Sequence, residues 1–261
     1  MHPTLDIFGF KADSYTLMMI VGMVLSLVVV LLKNHFRKEE KVSWKDICFI
    51  AVFVLFGALV GARILYFITR LGDVKTFDDV IKFLWSEGGL VFYGGVIGGV
   101  GMGLLYLKIY KLDIHTFVEL CVPVIPLGHA FGRIGCYLAG CCYGKVTTSS
   151  HGVHFPFLEE GVNVIPVQLY EAIFLFVLFI ALLGVEYFIK NKKAYLRSGL
   201  YFVLYGIWRF IIEFFRGDEI RGIFILSTSQ WISILLVALG VFLLLDGIEK
   251  IKNKRRIKEV N

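Results

Sequence analysis

The run Tyr201-Phe-Val-Leu-Tyr205-Gly-Ile-Trp-Arg209-Phe-Ile-Ile-Glu213-Phe-Phe-Arg216 is apolar enough to lie at membrane depth, yet it carries three charges. A charge there is costly, faces the protein interior or a wet cavity, and is by default a functional hypothesis. Tyr205, Arg209, Glu213 and Arg216 follow at steps of four, four and three, which is one face of a helix. Two readings stay open. Arg209 and Glu213 form an ion pair that ties helices together, or Arg209 binds a phosphate while Glu213 fixes its planar guanidinium, whose donor fork suits phosphate oxygens.

Working outward, a second arginine, Arg133, ends another apolar run, within His129-Ala-Phe-Gly-Arg-Ile-Gly-Cys-Tyr-Leu-Ala-Gly-Cys-Cys-Tyr-Gly144. Two such arginines suggest an anionic lipid headgroup. Of the 261 residues 57% are hydrophobic, above the apolar share of a soluble domain, and the mean hydropathy is +0.76. The fold class is therefore all-α and polytopic. Windows long enough to cross a hydrocarbon core of ~30 Å fall at about 14 to 32, 46 to 70, 88 to 108, 112 to 131, 167 to 189, 198 to 215 and 223 to 245, giving seven spans.

Most of the 27 basic residues follow the odd-numbered spans: Lys33 to Lys45, Lys108 and Lys111, Lys190 to Arg197, and Lys250 to Lys258. The positive-inside rule makes that side cytoplasmic, with the N-terminus outside and the C-terminus inside. The net charge of +6 lies in these segments and calls for anionic lipid rather than nucleic acid. The first apolar run begins only after Asp13 and lacks a small-residue cleavage pattern, so it reads as a retained span. One domain, 1-261, is expected, with an outer loop at about 145-165 serving as a lid or cap. The glycines between Gly88 and Gly103 read mainly as a close helix-packing face.

Alternating spans bring the polar groups to one level. Tyr15, Tyr93, Gln168 and Glu171 lie early in spans that run inward, and Arg63 with Tyr66, Arg133, Arg209, Glu213 and Arg216 lie late in spans that run outward. All of them are expected at the outer leaflet.

The ordered motifs Gly88-Gly-Leu-Val-Phe-Tyr93-Gly-Gly95, Gly132-Arg-Ile-Gly135, Pro166-Val-Gln168-Leu-Tyr-Glu171, Tyr205-Gly206 with Arg209, Glu213 and Arg216, and Ser229-Gln230 resemble those of the prolipoprotein diacylglyceryl transferases of bacteria. The resemblance spans nearly the whole chain. It implies transfer of the diacylglyceryl group from phosphatidylglycerol to the lipobox cysteine thiol of a preprolipoprotein signal peptide, forming a thioether and releasing glycerol phosphate, in the bacterial cytoplasmic membrane, without a cofactor. It also implies that Arg133 and Arg209 bind phosphate, that Tyr15 and Tyr205 are site tyrosines, and that Gln168 and Arg216 hold motif positions on the substrate side. Tyr93 and Glu213 complete the expected catalytic set. The alternatives are a paralogue serving a different acceptor and a lipid-binding or lipid-moving protein without chemistry.

The chain departs from the family signature Gly-Arg-x-Gly-Asn-Phe-x-Asn-x-Glu. Cys136, Ala139 and Cys141 stand where that pattern has Asn, Asn and Glu, and Tyr93 stands where the family has the histidine regarded as the thiol's base. A tyrosine of pKa ~10 is a poor base at neutral pH unless a cation lowers it, which leaves Glu213, Glu171 and solvent as further candidates. For Cys136, Cys141 and Cys142 a structural or disulfide role, a variant loop without special thiol chemistry, and a reactive thiol all stay open. Cys48 and Cys121 read as small buried hydrophobes. His151, His154, Glu159 and Glu160 match no strong zinc spacing, and no metal site is expected.

Overall fold

The computed structural model describes residues 4–7, 10–37, 41–73, 76, 91–188, 195–217, 222–223 and 225–260. Seven stretches are long and apolar enough to cross a membrane, as the hydropathy windows predict. Their bounds are Ser14–Phe36, Trp44–Thr69, Phe92–Ile109, Ile114–Ala139, Val167–Phe188, Leu196–Phe215 and Thr228–Asp246. Large apolar side chains such as Phe49, Ile97, Ile180 and Phe242 lie bare along them, as a lipid-facing surface requires. The described chain divides into two compact units, one of residues 1–30 and 115–261, the other of residues 31–114.

In the first unit a hairpin of β1 (Thr4–Ile7) and β2 (Phe10–Asp13) precedes helix α1 (Ser14–Phe36). The hydropathy pattern gives no hint of this hairpin. Asp13 starts α1: its carboxylate accepts from the Thr16 backbone N–H and from the Thr16 hydroxyl, both at 2.8 Å, which caps the first turn and fixes where Tyr15 begins.

The fourth span is broken rather than straight. Helix α4 (Ile114–Cys121), a 3-10 turn (Val122–Val124) and helix α5 (Ile125–Ala139) follow one another, with Pro123 and Pro126 at the joints, where a missing N–H costs least. The span therefore ends eight residues later than the hydropathy window allows. The apolar run ends at Arg133 but the helix does not: glycine, arginine and tyrosine lower the hydropathy without breaking α5, which continues to Ala139.

Helix α5 packs on α1 through small residues. A methyl group at Gly22 would lie 2.8 Å from the Phe131 Cβ, and one at Gly135 would meet the Tyr15 backbone at 3.2 Å. Helix α6 (Val167–Phe188) buries Leu175, Leu178 and Leu182, and its Phe174 stacks on Trp208 of helix α7 (Leu196–Ile212) at 4.4 Å between ring centres. Helix α8 (Thr228–Val260) crosses α7 where Gly199 faces Gly240.

Arg197, one of the basic residues that follow the fifth span, is buried. It pairs with Glu119 and, at 3.5 Å, with Glu186, so one guanidinium ties α4, α6 and α7. Lys190, Lys192 and Lys193 lie outside the described residues. A short hairpin of β3 (Gly222–Ile223) and β4 (Leu226–Ser227) leads into α8.

The second unit holds helices α2 (Trp44–Thr69) and α3 (Phe92–Ile109). Their backbones touch through Gly57, Gly61, Gly94 and Gly98: a Cβ on Gly98 would sit 2.1 Å from the Gly57 carbonyl oxygen. The expected packing face is thus real for Gly94 and Gly98, while Gly88 and Gly89 lie outside the described residues. Tyr106 donates a hydrogen bond to Asp46 at 3.0 Å across the same pair. Asn34 closes the turn between α1 and α2, donating to the Val42 carbonyl at 2.7 Å and accepting from its N–H at 2.9 Å.

Candidate functional site

Two part-buried arginines, each held by a carboxylate, form the polar centre of the first unit. Arg133 of α5 pairs with Glu171 of α6 at 3.0 Å, and Arg209 of α7 pairs with Glu213 at 2.8 Å and donates to the Ser229 hydroxyl of α8 at 2.9 Å. The ion pair considered for Arg209 and Glu213 is therefore present. It does not exhaust the arginine: Arg209 Nη1 is buried and meets no acceptor among the described residues, and the same holds for Arg133 Nε. Buried donors of this kind carry a desolvation cost until an acceptor reaches them.

Other elements bring further groups to the two arginines. His129, one turn before Arg133, places Nε2 at 4.0 Å from Glu171 and its ring edge-on to Tyr205 at 5.4 Å, within electrostatic reach of both guanidiniums. It opens the quoted arginine motif, yet it was not among the expected site residues. Its spacing of four to Arg133 was the available signal. Tyr205 stacks on Tyr201 with ring planes 7° apart and lies close enough to Arg133 to act on its charge. Tyr15, at the start of α1, lies near Arg133 and all three clustered cysteines.

Gln168 is fully buried, and its side-chain amide donates to the Cys141 carbonyl at 2.7 Å. Arg216 does not continue the helical face of Arg209. The chain tightens into a 3-10 turn over Glu213–Phe215 and then extends, so that Arg216 bridges Gly144 as a strand residue and comes near Cys142. Tyr93 belongs to the second unit, at the start of α3, is 38% exposed, and sets its ring edge-on to Phe92. Arg63 and Tyr66 also lie in that unit.

Past Ala139 the chain turns through Gly140 in the left-handed region, φ 75°, and Cys142 adopts the same region at φ 61°. The sulfurs of Cys136, Cys141 and Cys142 then lie within 4.8 Å of one another. The neighbouring Cys136 and Cys141 thiols, helped by the charges of Arg216 and Arg133, hold the Cys142 thiol well below the ordinary range. Cys48 and Cys121, expected to be buried, are both half-exposed.

The stretch 145-165, expected as an outer loop, is folded on itself. Val146 and Val153 both bridge Val164, and Phe155 is buried among Tyr137, Tyr143 and Phe157. His154 is spent inside it on the Val162 carbonyl at 2.9 Å, and His151 approaches the Ser149 and Ser150 hydroxyls.

Comparison with known proteins places this arrangement in a family. Residues 3–245 match the family model described as prolipoprotein diacylglyceryl transferase. A phosphatidylglycerol--prolipoprotein diacylglyceryl transferase of Clostridium tetani is 36% identical over 93% of this chain and 96% of its own length. A second, of Clostridium perfringens, is 37% identical over 97% of each, and one from Rickettsia bellii is 35% identical over 78% of this chain and 80% of its own. With a match over nearly its whole length, the chain belongs to the prolipoprotein diacylglyceryl transferase family.

Proposed function

We propose that this chain transfers the diacylglyceryl group of phosphatidylglycerol to the thiol of a lipobox cysteine in a preprolipoprotein. The observation that carries the reading is the pair of part-buried arginines, each held by a carboxylate and each keeping a buried N–H for an anion. The names of the relatives supply the two substrates.

Sulfur attacks the terminal glyceryl carbon, the bond from that carbon to the phosphate oxygen breaks, and glycerol phosphate leaves. Negative charge grows on the freed oxygen, where the donors of Arg133 and Arg209 stabilise it best if they are already in place. Glu171 and Glu213 hold the two guanidinium planes, and Ser229 adds a second anchor to Arg209. Tyr15 and Tyr205 offer hydroxyls to the headgroup, Gln168 braces the Cys141 turn, and Arg216 adds positive charge at its edge.

The protein works as one integral domain in the bacterial cytoplasmic membrane, with its N-terminus and site on the outer side and its basic segments inside. A lipobox peptide incubated with purified protein and phosphatidylglycerol tests the function. Thioether product and released glycerol phosphate are expected. Consumption of lipid without modification of the peptide would indicate a different acceptor, and lipid exchange without any product would remove the transferase reading.

A further inference from the structure

Three thiols converge beside the arginines, and the reaction proposed for this chain is the alkylation of a thiol. Cys136 is buried in the last turn of α5, Cys142 is half-buried, and Cys141 is exposed, so the cluster is anchored on one side and open on the other. All three sulfurs lie within 4.8 Å of one another. Three sulfurs around a tetrahedral zinc at ~2.3 Å stand about 3.8 Å apart, so closing onto a metal ion needs movements of roughly 1 Å or less.

The frame is built for this. Gly140 reverses the chain, the Cys141 N–H donates to the Cys136 carbonyl at 3.0 Å, and Gln168 holds the Cys141 carbonyl from α6. Cys142 takes the left-handed conformation, which is unfavourable for a residue with a side chain. A disulfide would use only two of the sulfurs, whereas the turn brings in all three. Three thiolates and one divalent zinc carry a net charge of −1, which Arg133 and Arg216 beside them offset.

We propose that Cys136, Cys141 and Cys142 bind Zn²⁺ as three thiolate ligands and leave the fourth position to the acceptor thiol. Among the described residues no fourth His, Cys, Asp or Glu joins the group, which is the pattern of three protein ligands found in catalytic rather than structural zinc sites. A thiol bound to zinc is deprotonated outright. The metal thereby supplies what Tyr93, in place of the family's histidine, supplies poorly.

This rests on the transferase reading for the identity of the acceptor. The acceptor sulfur binds zinc as thiolate, forms its bond to the glyceryl carbon, and leaves the metal as a thioether. The carbon to oxygen bond breaks, and the proton given up by the thiol ends on the freed phosphate oxygen. No electrons are exchanged with an external partner.

Full-length protein in lipid nanodiscs is tested in three ways: metal content, the absorption of the Co²⁺-substituted form, and thioether formation with phosphatidylglycerol. About one zinc per chain is expected, lost in Cys142→Ser and kept in Cys142→His. The Co²⁺ form should show tetrahedral thiolate absorption that gains a further sulfur band with a lipobox peptide and not with the peptide's Cys-to-Ser analogue. Zinc removal by a chelator should slow thioether formation roughly a hundredfold, the scale of losing the group that activates a nucleophile, and added Zn²⁺ should restore it.

Undiminished thioether formation by zinc-free protein overturns the proposal. So does a Co²⁺ spectrum indifferent to the peptide, or a protein that binds no metal and whose mass shows a disulfide. Absence of thioether at every zinc loading, with the spectrum still answering to the peptide, removes the transferase reading and leaves the metal site standing.

Discussion

Glu171 Oε1 lies 3.0 Å from Arg133 Nη2, with the carboxylate side chain 2% exposed and the guanidinium 15%. A buried pair like this adds little net stability, because both charges gave up their water, but removing one partner is expensive. The arrangement makes sense if the arginine must stay charged and oriented for a second anion.

Glu171→Gln is therefore expected to lower both stability and turnover. The uncompensated guanidinium costs up to about 3–5 kcal/mol, the scale for breaking a buried pair. Added phosphatidylglycerol should raise the melting temperature of Glu171→Gln more than that of the parent protein, since the lipid phosphate replaces the lost negative charge. Equal shifts in the two proteins would remove Arg133 from the phosphate contact.

Arg209→Lys retains a positive charge and should still lose turnover severely, by about a hundredfold. Lysine is a point charge and cannot bond Glu213, Ser229 and a phosphate oxygen from one plane. Steady-state thioether formation by correctly inserted Arg209→Lys checks this. Near-normal turnover would reduce the Arg209 to Glu213 contact to a tie between segments.

How much of this was legible in the sequence varied with the physics involved. The seven spans follow from hydrophobic length alone, and Arg133, Glu171, Arg209 and Glu213 could be found because charge in an apolar run is rare. Their pairing across helices could not, since Glu171 lies 38 residues from Arg133 and nothing local connects them. The spacing puts Arg216 on the helical face because periodicity does not register a 3-10 turn. The Glu119 to Arg197 pair joins residues 78 apart, so local pattern does not reveal it, although Glu119 is itself a charge within the apolar run Phe117-Val-Glu-Leu-Cys-Val122. The convergence of three cysteines depended on two left-handed residues, and cysteine at φ 61° is not a conformation that composition suggests.

Gly98→Val should destabilise the second unit. Its Cβ would lie 2.1 Å from the Gly57 carbonyl oxygen, which is backbone and cannot rotate aside. A loss of about 1–3 kcal/mol is expected, the usual cost of overpacking, and larger if the helices separate. Thermal unfolding in detergent reads it directly, and an unchanged melting temperature would mean that α2 and α3 do not meet at this point.

Orientation is tested by labelling. In a background without native cysteines, Ser149→Cys in the cap should react with a membrane-impermeant reagent added outside intact cells, and Lys41→Cys should react only after permeabilisation. Both positions are exposed. The basic stretch around Lys41 assigns it to the cytoplasm. Outside labelling at Lys41 would reverse the topology and with it the placement of the arginines at the outer leaflet.

Tyr93 stands where the family signature has a histidine, and the residue is 38% exposed at the start of α3. If its hydroxyl contacts lipid or leaving group without serving as the sole base, Tyr93→Phe should lose activity only in part, roughly tenfold. The acidic limb of its pH profile should match the parent's, because the group titrating there remains. A tyrosinate base predicts something different: complete loss near neutrality, followed by recovery as rising pH ionises the acceptor thiol, of pKa ~8.5, without help. Rates of thioether formation across the pH range separate the two, and recovery at high pH after loss at neutrality would make Tyr93 the base and leave a zinc-bound thiolate without a task.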